Sequence, residues 1–294
     1  MYVATPNALH RPFTERAASC GVHVLCEKPM AVTVEDCQAM IRVTQEHRVK
    51  LMIAYRLHFE EANLRAVELI QSGELGKAKI FSSVLSQQVR PGDIRTLSHL
   101  GGGAVFDMGV YPINAARYLF RDEPIEVLAI SPPLVDARFE GVDEMTTIVL
   151  RFPRGRVAQM TVSLGTVATD GYQVLGTHGK LRVEPAFGYE TGLTHHLTKN
   201  GRTTQTNFAK RDQFAPELIY FSRCILENRE PEPSGEEGLA DVRIVNAALE
   251  SAQTGRSVTL PFFTRAQRPD LRQEIHKPPV KQPKTIEAPA PTLR

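Results

Sequence analysis

The first 55 residues of the chain alternate short apolar runs with segments of helical periodicity. The apolar runs cover residues 2–4, 22–26 and 50–54, and their length is typical of strands covered on both faces. Leu9, Phe13 and Ala17 form a helical stripe between the first two runs. Thr33 and Asp36 form a capping box that starts a second helix before the third run. This β-α-β-α-β order predicts a parallel α/β sheet with right-handed crossovers.

Beyond residue 57 the pattern changes to strands of partly alternating apolar and polar residues, flanked by helices. The predicted strands cover residues 77–89, 125–130, 145–152, 156–164, 172–175 and 180–183. The predicted helices cover residues 60–72, 213–227 and 236–254, and one more follows the glycines at 101–103 and runs to Leu119. Turns at 153–155 and 176–179 indicate two hairpins. The pattern predicts an α+β domain over residues 57–264, with a large, mostly antiparallel sheet flanked by helices.

Length and composition are those of an ordinary globular protein of two domains, with 294 residues, 42% hydrophobic and 23% charged. The net charge is +2, but residues 265–294 hold seven Lys/Arg against three Asp/Glu, which leaves −2 for the body. A near-neutral body argues against nucleic acid as a partner. The absence of any run of about 18 apolar residues argues against a membrane-spanning helix.

The last 30 residues contain six of the twenty prolines and few large apolar groups. Such a segment buries too little surface to offset the entropy of ordering it. Residues 265–294 are therefore predicted to form an extended, basic tail on the surface. The alternative is an arm that embraces another subunit.

The remaining signals concern location and metals. The start of the chain has neither the basic nor the apolar region of a signal peptide. The four cysteines show no CxxC spacing, which predicts reduced thiols and a cytoplasmic location. The histidines lack the spacing of metal ligands, so no metal site is predicted.

One candidate for chemistry is the segment from Ala4 to His10, which reads ATPNALH. It follows the first predicted strand, and ligands of open α/β sheets bind at the carboxyl ends of the strands. An ordinary turn from strand to helix is the alternative interpretation.

A second candidate is Glu27-Lys28-Pro29, directly after the second predicted strand. It places an acid and a base at the same sheet edge, and the proline restrains Lys28 to an extended conformation. An exposed ion pair in a loop is the alternative.

The third candidate begins at Gly101-Gly102-Gly103 and includes Asp107 and Tyr111. These last two residues are four apart and share one face of the predicted helix. A tyrosine has an ordinary pKa near 10, which a neighbouring cation lowers, so a lysine beside this pair would make an acid–base set. The alternative is a capped amphipathic helix. No Lys-Ser/Thr follows the glycines, so this is not a P-loop.

Taken in order, the three motifs resemble those of the Gfo/Idh/MocA oxidoreductases. Four further stretches agree: YRxHFE at 55–60, ARYL at 116–119, QFxxELxYF at 213–221 and GLxDVR at 238–243. The resemblance extends from residue 1 to about residue 262. Tyr111, in place of the histidine of inositol dehydrogenases, is similar to the glucose–fructose oxidoreductase branch.

The resemblance implies a two-domain enzyme that transfers a hydride between NADP or NAD and a sugar or polyol hydroxyl. Residues 1–56 would be part of a Rossmann domain, and residues 57–264 would bind substrate and form a homodimer or homotetramer. Lys28, Asp107 and Tyr111 would be catalytic. The residues expected to contact the cofactor are Thr5, Pro6, Asn7, His10, Glu27, Lys28 and Arg56, with Arg95 as an additional match.

The chain also departs from this family pattern, because it contains no GxGxxG turn for the cofactor pyrophosphate. The residue that distinguishes NAD from NADP is missing with it. About 70 residues, two βαβ steps of roughly 30 residues each, are predicted to be absent before Met1. The alternative function is an inactive remnant that binds sugar or forms oligomers. An in-frame GxGxxG in the DNA upstream of Met1 would favour the enzyme.

Overall fold

A computed structural model describes residues 1–265 and 268–280 of the chain. The amino-terminal part is a three-stranded parallel sheet in the order β1-β2-β3, with two helices as crossovers. Its elements are β1 (Tyr2–Val3), α1 (His10–Ser19), β2 (Val24–Glu27), α2 (Val34–Glu46) and β3 (Leu51–Ala54). The Asp36 amide donates to Thr33 Oγ1 at 3.1 Å, so the predicted cap does start α2. The β-α-β-α-β prediction is confirmed.

The second part is built on a nine-stranded sheet in the order β11-β10-β9-β8-β4-β7-β6-β5-β12. Its strands are β4 (Ala78–Gln88), β5 (Glu126–Ile130), β6 (Met145–Phe152), β7 (Arg156–Ser163), β8 (Gly165–Gly176), β9 (Gly179–Val183), β10 (Leu193–Lys199), β11 (Arg202–Phe208) and β12 (Val258–Thr259). The helices are α3 (Glu61–Gln71), α4 (Val110–Phe120), α5 (Ala215–Leu226) and α6 (Gly235–Thr254). Strand β4 pairs parallel with β7, and the other pairings are antiparallel, so the sheet is mixed but mostly antiparallel, as predicted.

The hairpin of β10 and β11 was not predicted from the sequence. Strand β11 exposes almost every side chain, so its sequence lacks the apolar alternation by which strands are recognised. Cross-strand pairs of polar residues, such as Thr198 with Thr203 at 2.8 Å, line the hairpin instead.

Helix α6 joins the two parts, because it contributes to both hydrophobic cores. Leu239 and Val242 pack in the core of the small parallel sheet. Ile244, Val245 and Ala248 pack in the core of the large sheet. This shared helix holds the carboxyl edge of the small sheet against the start of α4.

A single wider helical turn precedes α4. Residues Val105–Gly109 form a π-helix that continues directly into α4. Such turns occur mostly as short bulges inside α-helices and frequently lie at functional sites. This one carries Asp107.

The described part of the C-terminal segment lies against the body, so the expectation of a wholly solvated tail needs correction. The Arg265 side chain is 8% exposed and pairs with Glu232 at 2.7 Å and Glu237 at 2.9 Å. Arg268 pairs with the buried Glu123. Buried carboxylates need cationic partners, and these two arginines supply them. Residues 266–267 and 281–294 of the predicted tail lie outside the described residues.

The described ranges contain no candidate for a membrane-spanning helix or for a metal site. None of the helices there combines the length and the apolar character required to cross a membrane. No group of three potential metal ligands lies together in this part of the chain. Cys26, Cys37 and Cys224 are buried free thiols, and Cys20 is an exposed one.

Candidate active site

A cavity of about 250 Å³ opens at the carboxyl edge of the small sheet. One wall comes from the loops after β1, β2 and β3, and the other comes from the large-sheet part of the chain. Its lining residues are Ala4, Thr5, Asn7, Glu27, Lys28, Ala54, Arg56, Arg95, Asp107, Tyr111, Tyr189, Phe214 and Glu217. The structure therefore brings residues from all three predicted motifs to one place.

The loop after β1 is tied to the glycine segment before α4. Asn7 Nδ2 donates to the Gly101 carbonyl oxygen at 2.8 Å. Gly101 has a φ of +77°, and a Cβ there would lie 2.5 Å from Val32 and 2.9 Å from Asn7, so only glycine fits. Thr5 Oγ1, in contrast, is buried and has no hydrogen-bond partner among the described residues. It is an unsatisfied hydroxyl on the cavity wall.

Two of the predicted cofactor residues, Pro6 and His10, do not line this cavity. The His10 ring is fully buried between two loops, with Nδ1 2.9 Å from the Pro29 carbonyl and Nε2 2.9 Å from the Thr5 carbonyl. Burial lowers the pKa of His10, against the opposing effect of these carbonyls. In this geometry His10 bridges the loops after β1 and β2.

The Lys28 ammonium group lies at the centre of the cavity wall. Its Nζ donates to the Asp107 carbonyl oxygen at 2.9 Å and lies 3.8 Å from Asp107 Oδ1. The same nitrogen lies 4.4 Å from the centre of the Tyr111 ring. The three residues predicted to be catalytic thus form one cluster.

Lys28 remains charged in spite of its surroundings. Burial of the side chain, which is 13% exposed, lowers its pKa. Tyr111, Asp107 and Glu27 outweigh burial, and the pKa of Lys28 is raised. The cluster therefore contains a permanent cation at the operating pH of most enzymes.

Asp107 lies between two cations. Arg95 Nε donates to Asp107 Oδ2 at 2.8 Å, on the side away from Lys28. Arg95 also pairs with Asp93 at 3.2 Å, and these carboxylates raise its pKa against the opposing effect of burial. The additional match at Arg95 thus lies in the cavity, where it orients Asp107.

Arg56, just after β3, forms an aromatic-lined part of the cavity wall. Its guanidinium donates to the Gln213 side-chain oxygen and to the Phe187 carbonyl. It also lies 5.3 Å from the Tyr111 ring centre and 5.2 Å from that of Tyr189. Because the group is 6% exposed and fixed by these contacts, it presents a rigid cation to the cavity.

Sequence reasoning missed three lining residues, Tyr189, Phe214 and Glu217. The last two lie in the stretch at 213–221, which carried the family resemblance but no assigned role. Tyr189 lies in the loop between β9 and β10, and no motif around it in the sequence indicates that it lines the cavity.

A parallel sheet edge facing a Lys-Asp-Tyr cluster is the arrangement that the family resemblance implies for a dinucleotide-dependent oxidoreductase. Comparisons with known families agree. An oxidoreductase family model with an NAD-binding Rossmann fold matches residues 1–55, and a GFO/IDH/MocA C-terminal domain model matches residues 63–182.

Individual proteins of this kind are similar to the chain over most of its length. The chain is 36% identical over 266 residues to a D-xylose 1-dehydrogenase (NADP(+)) of Haloarcula marismortui, covering 88% of this chain and 74% of that one. It is 29% identical to a 1,5-anhydro-D-fructose reductase of Ensifer adhaerens, covering 88% and 79%. The crystal structure of an aldose-aldose oxidoreductase from Caulobacter crescentus with glycerol matches with a TM-score of 0.84 and 39% identity, covering 88% and 78%.

The chain belongs to the GFO/IDH/MocA oxidoreductase family. It is an enzyme of an NAD-binding family, and the structure of a relative, the 3-ketoreductase KijD10 of Actinomadura kijaniata, contains NADP. That match has 27% identity and a TM-score of 0.78, and covers 85% of this chain and 77% of that one. The resemblance stated from the motifs is thus confirmed.

Proposed function

We propose that this chain transfers a hydride between NADP or NAD and a hydroxyl of a sugar or polyol. The observation that carries the proposal is the convergence of Lys28, Asp107 and Tyr111 on one cavity at the sheet edge. The names of the relatives support a sugar as the substrate, since xylose dehydrogenase and aldose-aldose oxidoreductase are among them.

The wall formed by the loops after β1 and β2 fits the nicotinamide half of the cofactor. The unsatisfied Thr5 hydroxyl suits an oxygen of the ribose or the carboxamide, and Asn7, Glu27 and Lys28 line the same side. When bound, the nicotinamide supplies the acceptor or donor of the hydride. In this proposal the adjoining Lys28 ammonium contacts both the ribose and the substrate.

Tyr111 is the proton donor or acceptor in this proposal. As a hydride leaves a sugar carbon, the Tyr111 phenolate accepts the proton of the hydroxyl on that carbon, and in the reverse direction the Tyr111 phenol returns it. The Lys28 cation beside the ring stabilises both a phenolate and the alkoxide that develops on the substrate. Arg56, fixed above the same ring, closes the wall around the sugar.

Asp107 binds and orients the substrate. Its carboxylate is held by Arg95 and faces Lys28, so its position is fixed before any substrate arrives. A carboxylate accepts two hydrogen bonds from neighbouring sugar hydroxyls without further rearrangement.

The finer proposal is that the enzyme is similar to glucose–fructose oxidoreductase, in which one sugar is oxidised and another reduced. Tyr111 in place of a histidine supports it. The experiment is to incubate the protein with NADP and single aldoses, following nicotinamide absorbance, and then with pairs of sugars. Formation of an oxidised and a reduced sugar in equal amounts, without net NADPH, supports the finer proposal; steady NADPH release from one sugar supports only the dehydrogenase.

We also propose a homodimer or homotetramer, formed through the open face of the large sheet. Five apolar side chains on that face are between 39% and 67% exposed: Ile80, Val84, Leu128, Ile130 and Val157. Ladder pairs such as Ile80 with Val157 make the patch continuous across β4 and β7. An exposed apolar patch of this kind is typical of a protein interface. Light scattering that gives only the 32.7 kDa monomer would contradict this proposal.

A further inference from the structure

Glu217 is a buried carboxyl group that no described contact of the protein explains. It lies in the first turn of α5, is 2% exposed and lines the cavity. Its Oε2 has no hydrogen-bond partner among the described residues, and no cation of that part of the chain lies within ion-pair distance. A buried polar group without a partner is costly, so the position calls for an explanation.

A glutamate is also unusual at this position of the helix, because its neighbours on the same face are buried. Glu217 lies on the buried face of α5 with Tyr220, Phe221 and Cys224, which pack in an apolar cluster against the small sheet. An apolar residue at position 217 would pack with the other residues on this face of the helix. Folding therefore does not require the carboxyl group.

The charges that face Glu217 disfavour a carboxylate. Glu27, at the end of β2, and Asp212, which accepts from the Ala215 amide at the start of α5, are acidic, and Arg56 opposes them among the described residues. The Tyr2 hydroxyl lies on the same side and donates to Glu27. Burial first, and then Glu27, raises the pKa of Glu217 well above its usual range, in spite of Arg56.

We propose that Glu217 binds the ligand as a neutral carboxylic acid, donating its O–H to an oxygen of the bound molecule. The inference rests on the proposed function, because it takes the occupant of the cavity to be nicotinamide and sugar. Two oxygens have the required chemistry: the carboxamide oxygen of the nicotinamide and a sugar hydroxyl. A neutral donor serves either one, and it adds no charge to a wall that already holds Glu27 and Asp107.

The test compares E217Q and E217L with the unchanged protein. Glutamine keeps a donor of the same size, whereas leucine fills the space without one. The control is E227Q, which removes an exposed carboxylate just beyond the C-terminal end of α5. NADPH binding is measured by fluorescence titration without sugar, and KM and kcat are measured for the best aldose at saturating cofactor.

E217L should weaken one of the two binding constants by about 3- to 10-fold, with a smaller change in kcat. E217Q should restore most of that loss, and the melting temperature of E217L should not fall. A change in the NADPH constant identifies the carboxamide as the partner, and a change in KM identifies the sugar. Either result supports the proposal that Glu217 donates a hydrogen bond to the ligand.

Equal losses in E217Q and E217L, or binding constants unchanged in both, would overturn it. A lower melting temperature in E217L with no change in binding would also overturn it, since the role would then be structural. An unchanged protein that binds NADPH but oxidises no sugar would contradict the proposed function alone. The NADPH titration of the two variants still decides the role of Glu217 in that case.

Discussion

The Lys28 ammonium nitrogen lies 4.4 Å from the centre of the Tyr111 ring. The two residues come from different parts of the fold, the end of β2 and the first turn of α4. Their approach depends on α6, which packs against both hydrophobic cores. The cation is therefore placed beside the phenol by the fold itself, and substrate does not have to bring them together.

The first prediction concerns the proton exchanged by Tyr111. Y111F should lower kcat by about 10² to 10⁴, the usual contribution of a general acid–base. The ring remains next to Lys28, so NADPH binding should change little. Steady-state assays of sugar oxidation measure kcat, and a fluorescence titration measures NADPH binding.

The matched control is Y189F, the same change on the other tyrosine of the cavity wall. The ring of Tyr189 contacts Arg56, and Lys28 lies beside Tyr111. Y189F should therefore leave kcat nearly unchanged. If Y111F turned over sugar as fast as the unchanged enzyme, the proton would have to come from another group.

The second prediction is that K28A damages both binding and turnover. Removing the ammonium group removes the charge beside the phenol, so kcat should fall by about 10² to 10³. The dissociation constant for NADPH should rise as well, because Lys28 lines the nicotinamide side. The control is K50A, at the opposite end of the small sheet, where Lys50 pairs with Glu230. A K28A enzyme with altered kcat but normal NADPH binding would contradict the contact with the cofactor.

The third prediction separates substrate binding from proton exchange. D107N keeps the shape of Asp107 but removes the charge between Arg95 and Lys28. KM for the sugar should rise about tenfold, and the pH optimum should move, while kcat at saturation falls less. D93N is the control, because Asp93 also pairs with Arg95 but does not line the cavity. A normal KM in D107N would exclude Asp107 as a sugar ligand.

Much of the fold could be predicted from the pattern of apolar and polar residues in the sequence. The parallel strands of the small sheet are short apolar runs, and each is closed by turn or capping residues, so their periodicity is unambiguous. The hairpin of β10 and β11 was missed because both strands are mostly polar, and β11 is also exposed at the edge of the sheet. Strand β10 pairs with β9 and β11 pairs with β10, and such pairing leaves little trace in local sequence.

Part of the candidate active site could also be predicted from the sequence. Lys28 and Asn7 follow strands of a parallel sheet, at the edge where ligands bind, and Tyr111 lies one helical turn after Asp107. Arg95, Glu217 and Tyr189 reach the cavity only through the packing of distant segments, which no spacing rule describes. The buried location of Arg265 and Arg268 was missed because their partners, Glu232, Glu237 and Glu123, are distant in sequence.

The fourth prediction concerns this buried ion network. Arg117 is fully buried and pairs with Glu237 at 2.7 Å, Asp241 at 2.6 Å and Glu123 at 2.8 Å. R117A leaves these carboxylates without their main cation, so the free energy of unfolding should fall by about 3–5 kcal/mol. Urea unfolding at neutral pH measures it.

The control for R117A is R65A, which breaks the exposed pair of Arg65 and Glu68 at 2.7 Å. Exposed pairs contribute about 1 kcal/mol or less, because water screens them. Equal effects of the two substitutions would show that the network adds nothing beyond a surface pair.

The last prediction uses the pH dependence of stability, and it depends on Glu60. This buried side chain caps α3, where its Oε2 accepts a hydrogen bond from the Asn63 amide at 3.0 Å. Burial raises the pKa of Glu60 from 4.5 to about 7, against the lowering effects of the Asn63 and Ala62 amides and of Arg211. In the folded state the group therefore holds its proton over a range in which the unfolded chain has lost it.

The sign of the effect follows from this difference. Below pH 4.5 both states are protonated, and the raised pKa costs nothing. As pH rises through that value to about 7, the folded state binds more protons than the unfolded state, so the free energy of unfolding falls. The full cost is about 3 kcal/mol and is present above about pH 7.

E60Q removes the titration and keeps an oxygen that accepts from Asn63. Its free energy of unfolding should match that of the unchanged protein near about pH 4.5 and exceed it by about 3 kcal/mol near about pH 8. The comparison at each pH cancels the contributions of Glu232 and Asp241, whose pKa values are also raised to about 7, chiefly by burial. E35Q, an exposed change in the first turn of α2, is the control. A difference between E60Q and the unchanged protein that stayed constant with pH would show that the pKa of Glu60 is the same in the folded and unfolded states.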